Sequence, residues 1–373
     1  MRIERLQLFC FPVPFKTVFR HASASRAQAE NLIVAAHSDC GQTGYGEGCP
    51  RSYVTGESVA GGAAFIRDVT GSITESVRDT NSLRAWIGEH RSIIDHNPAA
   101  FCAIELAILD LLGKVENCPI EQLVGVPKLA GAFQYSAILG DAPHPIYWWQ
   151  VRRYWNRGFR DFKVKVSGDP RRDRRKIDLL QKRSDQSVRV RLDANNLWTS
   201  AESCISHITG LSGDVFAIEE PLQPGDLGGF KRVGEACQAK IILDESLLRP
   251  EQLDSLEDAD RWLINLRVSK MGGLVRSLDV AEKAAQKGIG IIVGAQVGET
   301  SILTRTALTV MNAHRTNLVA SEGAFGTHLL QRDLASPCLM FGDGGQLDTD
   351  QMAINGEPGL GLRIQDSSLA VLD

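Results

Sequence analysis

Residues 188–195, VRVRLDAN, read as a short buried strand that ends on a carboxylate, Asp193, followed by small and polar turn residues. The pattern recurs along the chain: FAIEEPL (216–222) closes on Glu219 and Glu220, and KIILDES (240–246) closes on Asp244 and Glu245. Upstream lie FQYSAIL (133–139) and FKVKV (162–166); downstream lie WLINLRV (262–268), GIGIIVGA (288–295) and NLVASEG (317–323). Amphipathic segments such as PRRDRRKIDLLQKRS (170–184) and VRSLDVAEKAAQKG (275–288) separate them. Eight strands, each followed by a helical segment, predict a (β/α)8 barrel with its active site at the C-terminal strand ends. A doubly wound sheet fits the same alternation but wants a G-x-G-x-x-G fingerprint after a strand, and none stands there.

The preceding third has a different texture. Residues 1–48 read as a β-meander, with FKTVFRHASASRAQAE (15–30) predicted as a mobile loop between its first two strands. From about Glu57 to Val124 the apolar period becomes helical, and Ala103, Ala107, Leu111, Ile104 and Ile108 share one stripe. The expected organisation is an α+β capping domain over 1–130, a barrel over 131–330 and a C-terminal segment, 331–373, that returns to the cap.

Composition narrows the function classes. With 43% hydrophobic and 23% charged residues and a formal net charge of −4, nothing favours a polyanion, so no nucleic-acid partner is expected. Eight scattered cysteines form no C-x-x-C pair and suit reduced thiols. The first residues lack a signal-peptide pattern and no apolar run is long enough to span a bilayer, so a cytoplasmic protein with no membrane partner is expected.

The chemistry is carried by the strand ends. Any one Asp or Glu there reads most simply as a helix N-cap, but three at matching positions converge, and an all-oxygen set of carboxylates needs a cation such as Mg²⁺, or Mn²⁺ in its place. In FKVKV, Lys163 and Lys165 share a strand face, where like charge lowers a lysine's pKa and makes it a competent base. A divalent ion beside a base suits abstraction of the proton next to a carboxylate, through a metal-stabilised enolate.

The residues GYGEG, AIELAILDLLGK, K-V-K, LDANNLW, IEEP, LDES, NLRVSKMGGL and PGLGLRI, in this order, resemble the enolase superfamily, most closely its muconate-lactonizing and mandelate-racemase-like branch. The resemblance implies a modified TIM-type barrel under an α+β cap, with Asp193, Glu219 and Asp244 as Mg²⁺ ligands and Glu220 and Glu245 supporting them. It implies Lys165 as the acid/base, Lys163 as its electrostatic partner, Asn195 as an orienting group and Glu299 as part of the lysine's hydrogen-bonding environment. Cap loops around His21 to Arg26 and Arg51 to Gly56 would choose the substrate, with His21 and Arg26 reading an anion. A homo-oligomer is implied on the same ground.

Two positions depart from the family pattern. Where the lactonizing branch has a lysine on the sixth strand, this chain has Arg267, and Lys270 follows in a loop of unfixed direction. Arginine is a poor proton acceptor but can fix a carboxylate or an enolate. A one-base lyase (dehydratase) or cycloisomerase acting on a small carboxylate is therefore the first expectation. A racemase or epimerase of a carboxylate or N-acyl amino acid is the second, and a non-catalytic metal-carboxylate binding protein the third. The eighth strand also lacks the D-x-D by which dipeptide epimerases hold an ammonium, since Ser321 and Gly323 stand there.

Overall fold

The computed structural model describes residues 1–21, 24–181 and 188–372, with the side chains of 17–21, 24–26 and 368 outside the description. At its centre eight parallel strands form one curled sheet in chain order: Ala137–Leu139, Asp161–Lys165, Arg189–Asp193, Ala217–Glu219, Lys240–Leu243, Trp262–Leu266, Gly290–Val293 and Leu318–Ser321. The edges meet where Ser136 N donates to Ser321 O at 2.8 Å, beside a Tyr135–Ser321 bridge. All eight strands expected from the sequence are present, and the curled sheet is the modified TIM barrel. Ala217, Ile242, Leu263, Ile292 and Ala320 form a small apolar cluster of their own, and the alternation of side chains puts Glu219, two residues beyond Ala217, on the same face.

The barrel departs from regular (β/α)8 after the fifth, sixth and eighth strands, the eighth being followed by a 3₁₀ turn at Gly326–His328. After the fifth strand the chain makes 3₁₀ turns at Pro250–Ser255 and Ala259–Arg261 instead of an α-helix. Pro250 occupies the first turn there and Gln252 ties back to the amides of Leu248 and Arg249. After the sixth strand, a four-residue helix, Val268–Met271, stops at Gly272 and Gly273 with φ of 85° and 113°, and a new helix, Leu274–Gln286, begins. A Cβ on Gly273 would lie 2.1 Å from the Glu105 carboxylate, so close approach of the cap as well as backbone conformation requires glycine.

The cap is a sheet of Ile3–His21, Ala24–Ser38 and Thr43–Gly48, packed on helices that include Val59–Ser76 and Pro98–Glu116. Where the sequence predicts a loop over 15–30, the first two strands instead run on, to His21 and from Ala24; period-two pairing across a two-stranded extension tolerates the small polar residues that suggested a loop. Ala370 and Val371 add a fourth strand against Cys10 and Phe9. Pro98–Glu116 is buried almost all round, carrying Glu105 and Asp110 inside with it. These acids cap other elements. Glu105 accepts from the amides of Leu274 and Val275, the open N-terminus of the barrel helix Leu274–Gln286.

Glu47, on the third cap strand, does the same for the barrel helix Ser301–Ala313. It is fully buried and accepts from Thr300 N, Thr300 Oγ1 and Leu303 N, and from the Asn31 amide at 2.7 Å. Arg51 donates to Val297 O and Asn31 Oδ1, and Ser269 Oγ accepts from Cys49 N at 2.8 Å. Arg51, expected in a substrate-selecting loop, is thus a buried tie between cap and barrel.

Two outcomes follow for stability. Replacing Glu47 with alanine strands several buried donors and should cost roughly 3–5 kcal/mol, read as a lowered midpoint in urea; a loss below about 1 kcal/mol would contradict this role. Burial raises Glu47 to about 7 and Glu105 to about 8, against the hydrogen bonds that pull both down. A carboxyl raised above its unfolded value of 4.5 binds more protons folded than unfolded. Its stability contribution is complete below pH about 4.5 and falls away as pH rises to about 8. Thermal melts from pH 5 to 8 should therefore fall less steeply for Glu105→Gln than for the parent protein, and parallel curves would rule this out.

Candidate active site

The second to fourth barrel strands align Lys165 with Asp193 and Asp193 with Glu219 as register partners. Glu219 in turn pairs with Ile242, so Asp244, two residues on, emerges on the same face one step higher. The three carboxylates are buried, at 3%, 1% and 0% exposure, which forbids leaving them uncompensated. Lys163, one layer below Lys165, supplies the first cation: its Nζ lies 2.7 Å from Glu219 Oε1, 3.0 Å from Glu322 Oε2 and 3.4 Å from Asp193 Oδ2. Burial works against its charge, but Asp193, Glu219 and Glu322 outweigh it and hold the ammonium well above the ordinary lysine range. Lys163 is therefore a permanent cation.

Lys165 is tuned the other way. Burial lowers its pKa, Lys163 lowers it further, and Asp193, 3.7 Å away, opposes the shift. Its Nζ donates to Asn195 Oδ1 at 2.8 Å, and Asn195 takes a left-handed φ of 46° that turns it back over the strand end. The expected lowering of one lysine in K-x-K thus has burial as its first cause and the second ammonium as an auxiliary.

Glu220 organises the turn beyond. Its φ is 42°, rare for a residue with a long side chain, and its carboxylate accepts from Asp244 N, Ser246 N and Ser246 Oγ at 2.6, 2.8 and 2.8 Å. It therefore holds the backbone that presents Asp244, while burial raises its pKa to about 7. Glu245 is part-buried and is raised to about 7 by burial and by Glu220, Asp193 and Glu219.

Asp244 faces two cations. Arg267, the last residue before the short helix, places Nη2 on Asp244 Oδ2 and 3.9 Å from Glu219 Oε1, and Nη1 3.2 Å from Gln296 Oε1. Lys270 lies in the helical turn Val268–Met271, where the sequence predicts a loop, and is 1% exposed. Its three N–H groups go to Asp244 Oδ1 (2.8 Å), Asp244 O (2.7 Å) and Asn265 O (2.8 Å), while burial and then Arg267 push its pKa down to about 7. Asn265 donates to Glu219 Oε1 at 3.2 Å.

Glu299 is a correction. Among the described residues its carboxylate accepts from Gln296 N at 2.6 Å and makes no hydrogen bond to Lys165. It follows the seventh strand, whereas Lys165 ends the second, and burial raises it to about 8. The side chains of His21 and Arg26 lie outside the described residues. Three contributors escaped the sequence reading as a group. Glu322 points inward to Lys163 and to Arg191 at 3.3 Å, and Arg191 reaches Asp161 at 3.1 Å. Arg191 sits two before Asp193 in VRVRLDAN, so strand alternation was the available signal.

Asp193, Glu219 and Asp244 are the described residues whose chemistry suits a hard divalent ion, and Glu219 Oε2 is buried with no hydrogen-bond partner. Among the described residues no three such side chains form a ready-made cage, because Lys163, Arg267 and Lys270 each draw a carboxylate oxygen to themselves.

The chain matches the model of the mandelate racemase / muconate lactonizing enzyme N-terminal domain over residues 5–125, and that of the enolase C-terminal domain-like family over residues 149–368. It is 25% identical to the N-succinyl-L-Arg/Lys racemase of Bacillus cereus over 382 aligned positions, covering 100% of this chain and 98% of that protein. It is 26% identical to the L-Ala-D/L-Glu epimerase of Bacillus subtilis, covering 97% of each. A dipeptide epimerase from Cytophaga hutchinsonii, solved with Mg and the dipeptide D-Ala-L-Val, superposes with a TM-score of 0.86 at 22% identity over 100% of this chain and 99% of that one. Barrel, cap, strand-end carboxylates and these matches agree: the chain is an enzyme of the enolase superfamily, in its mandelate racemase / muconate lactonizing enzyme branch.

Proposed function

We propose that this enzyme removes the α-proton of a small, amino-acid-derived carboxylate and returns a proton to the same carbon, as a racemase or epimerase. Lys165 takes the proton. The observation that carries this is its pairing of a lowered pKa with a fixed position beside Asp193 and Asn195, since a base must be both neutral and aimed. Asp193, Glu219 and Asp244 would hold a divalent ion, which when bound supplies electrostatic stabilisation of the enolate. Lys163 stays charged beside Glu219 and Asp193 and opposes the burial that raises the Glu219 carboxyl. Glu220 fixes the turn that presents Asp244. Asn195 holds the Lys165 amine in place.

The names of the relatives support racemisation or epimerisation over the lyase reading that Arg267 suggests on its own. Ser321 and Gly323 bring no charge to the eighth strand end, and Glu322 is committed to Lys163 and Arg191. A substrate with a masked nitrogen, such as an N-acyl amino acid, suits that end better than a free ammonium. The second face then requires Lys270 to leave its place beneath Asp244, since of the two cations there it is the one that can lose a proton at ordinary pH.

One observation favours a second reading. Arg267 stands in front, 13% exposed, while Lys270 is sealed beneath Asp244. If Arg267 keeps that place during turnover, only one face has a base, and β-elimination or cycloisomerisation follows.

Incubation in ²H₂O with Mg²⁺ and a panel of N-acyl amino acids, acid sugars and muconates distinguishes them. Inversion at the α-carbon with ²H incorporation is expected; exchange with retention, or loss of a β-substituent, would support one-base chemistry instead. Lys165→Ala should lower α-proton exchange by roughly 10³-fold or more with the fold intact, and undiminished exchange would remove Lys165 from the mechanism. In the parent protein kcat/KM should rise with pH as the Lys165 amine loses its proton, with a midpoint below the ordinary lysine value of 10.5.

A further inference from the structure

The two cations on Asp244 are held very differently. Lys270 has all three N–H groups matched to acceptors within 2.8 Å, so it has no hydrogen bond to gain by moving. Arg267 is incompletely matched. Its Nη2 bonds Asp244 and its Nη1 reaches Gln296 Oε1, but Nε is buried with no hydrogen-bond partner among the described residues, and so is Nε2 of Gln296. It also retains some solvent contact, at 13% exposure.

The position of this guanidinium matters. Nη2 lies on Asp244 Oδ2 and 3.9 Å from Glu219 Oε1, so it bridges two of the three carboxylates assigned to the divalent ion. A metal ion coordinating those same oxygens needs their lone pairs and repels a cation placed among them. Lys163 holds the same Glu219 oxygen more closely, at 2.7 Å, while Lys270 holds the other Asp244 oxygen, Oδ1.

We propose that Arg267 is an exchangeable counter-ion for Asp244: it holds the carboxylate in the metal-free enzyme, and a divalent ion displaces it. Resting on the metal assignment made above, this makes metal affinity the difference between two cations competing for one carboxylate. The displaced guanidinium, tethered at the sixth strand end, is then free to hold an anionic group of the substrate. Its planar fork suits a carboxylate, so bound metal and bound anion favour one another.

Mn²⁺ binding to the whole protein, read from the free-ion electron paramagnetic resonance signal, tests this. Arg267→Met keeps an apolar stem and removes the competing charge, and should tighten Mn²⁺ binding at least tenfold; equal or weaker binding overturns the exchange. Asp244→Asn in each background identifies the site. If Mn²⁺ binding is abolished by Asp244→Asn but indifferent to Arg267→Met, only the exchange falls; if no binding depends on Asp244, the metal assignment falls with it. Crystals of the parent protein grown with Mn²⁺ give a reading that needs no variant. Arg267 should leave Asp244, and a guanidinium still on Oδ2 of a metal-bound Asp244 sinks the proposal.

Discussion

Lys163 is the ion on which the centre of the molecule depends. Three buried carboxylates from different strands meet its ammonium, and none of the three is tolerable there without a positive charge. Removing charged groups from water is costly, so the arrangement is explained by function more readily than by stability. An apolar barrel core of the kind formed by Ala217, Ile242, Leu263, Ile292 and Ala320 would be simpler to build. The lysine, held charged, opposes the burial that raises Glu219, and its field reaches Lys165 two residues away, where burial lowers the pKa. One strand thereby carries a permanent cation and a tunable one.

Around that centre the cap works as a brace. Glu105 and Glu47 close the N-termini of the two barrel helices that follow the sixth and seventh strands, and Arg51 and Asn31 bond the backbone at Val297 and Gly298. The segments so fixed carry Arg267, Lys270 and Gln296. Cap docking and active-site geometry are therefore one mechanical problem, solved with buried carboxylates at helix ends, where the unpaired amides and the helix dipole both favour a negative group.

Much of this was legible in the order of residues. All eight barrel strands could be read, because a buried parallel strand is a short apolar run and the turn residues punctuate it. The convergence of Asp193, Glu219 and Asp244 followed from their matching positions at strand ends. The loop predicted over 15–30 was misread because backbone pairing between two long strands holds without an apolar alternation in the sequence. The fifth barrel helix was absent because Pro250 and a glutamine cap favour tight turns. Glu299 was placed by likeness alone, and its real partner, Gln296 N, is three residues away in a turn whose shape no pattern announces.

What the sequence by itself determined is the layered plan: period-two and helical stripes specify which faces are buried, and parity along each strand decides which residues look into the barrel. What only the tertiary structure decided is how charge is shared there. Whether Lys270 lies beneath Asp244 or in a free loop depends on a glycine turn pressed against Glu105, more than 150 residues earlier in the chain. Whether Glu322 meets substrate or Lys163 depends on closure of the barrel, which brings the eighth strand round to the first. Electrostatic partnership is a matter of a few ångströms between distant segments, and no local pattern encodes it.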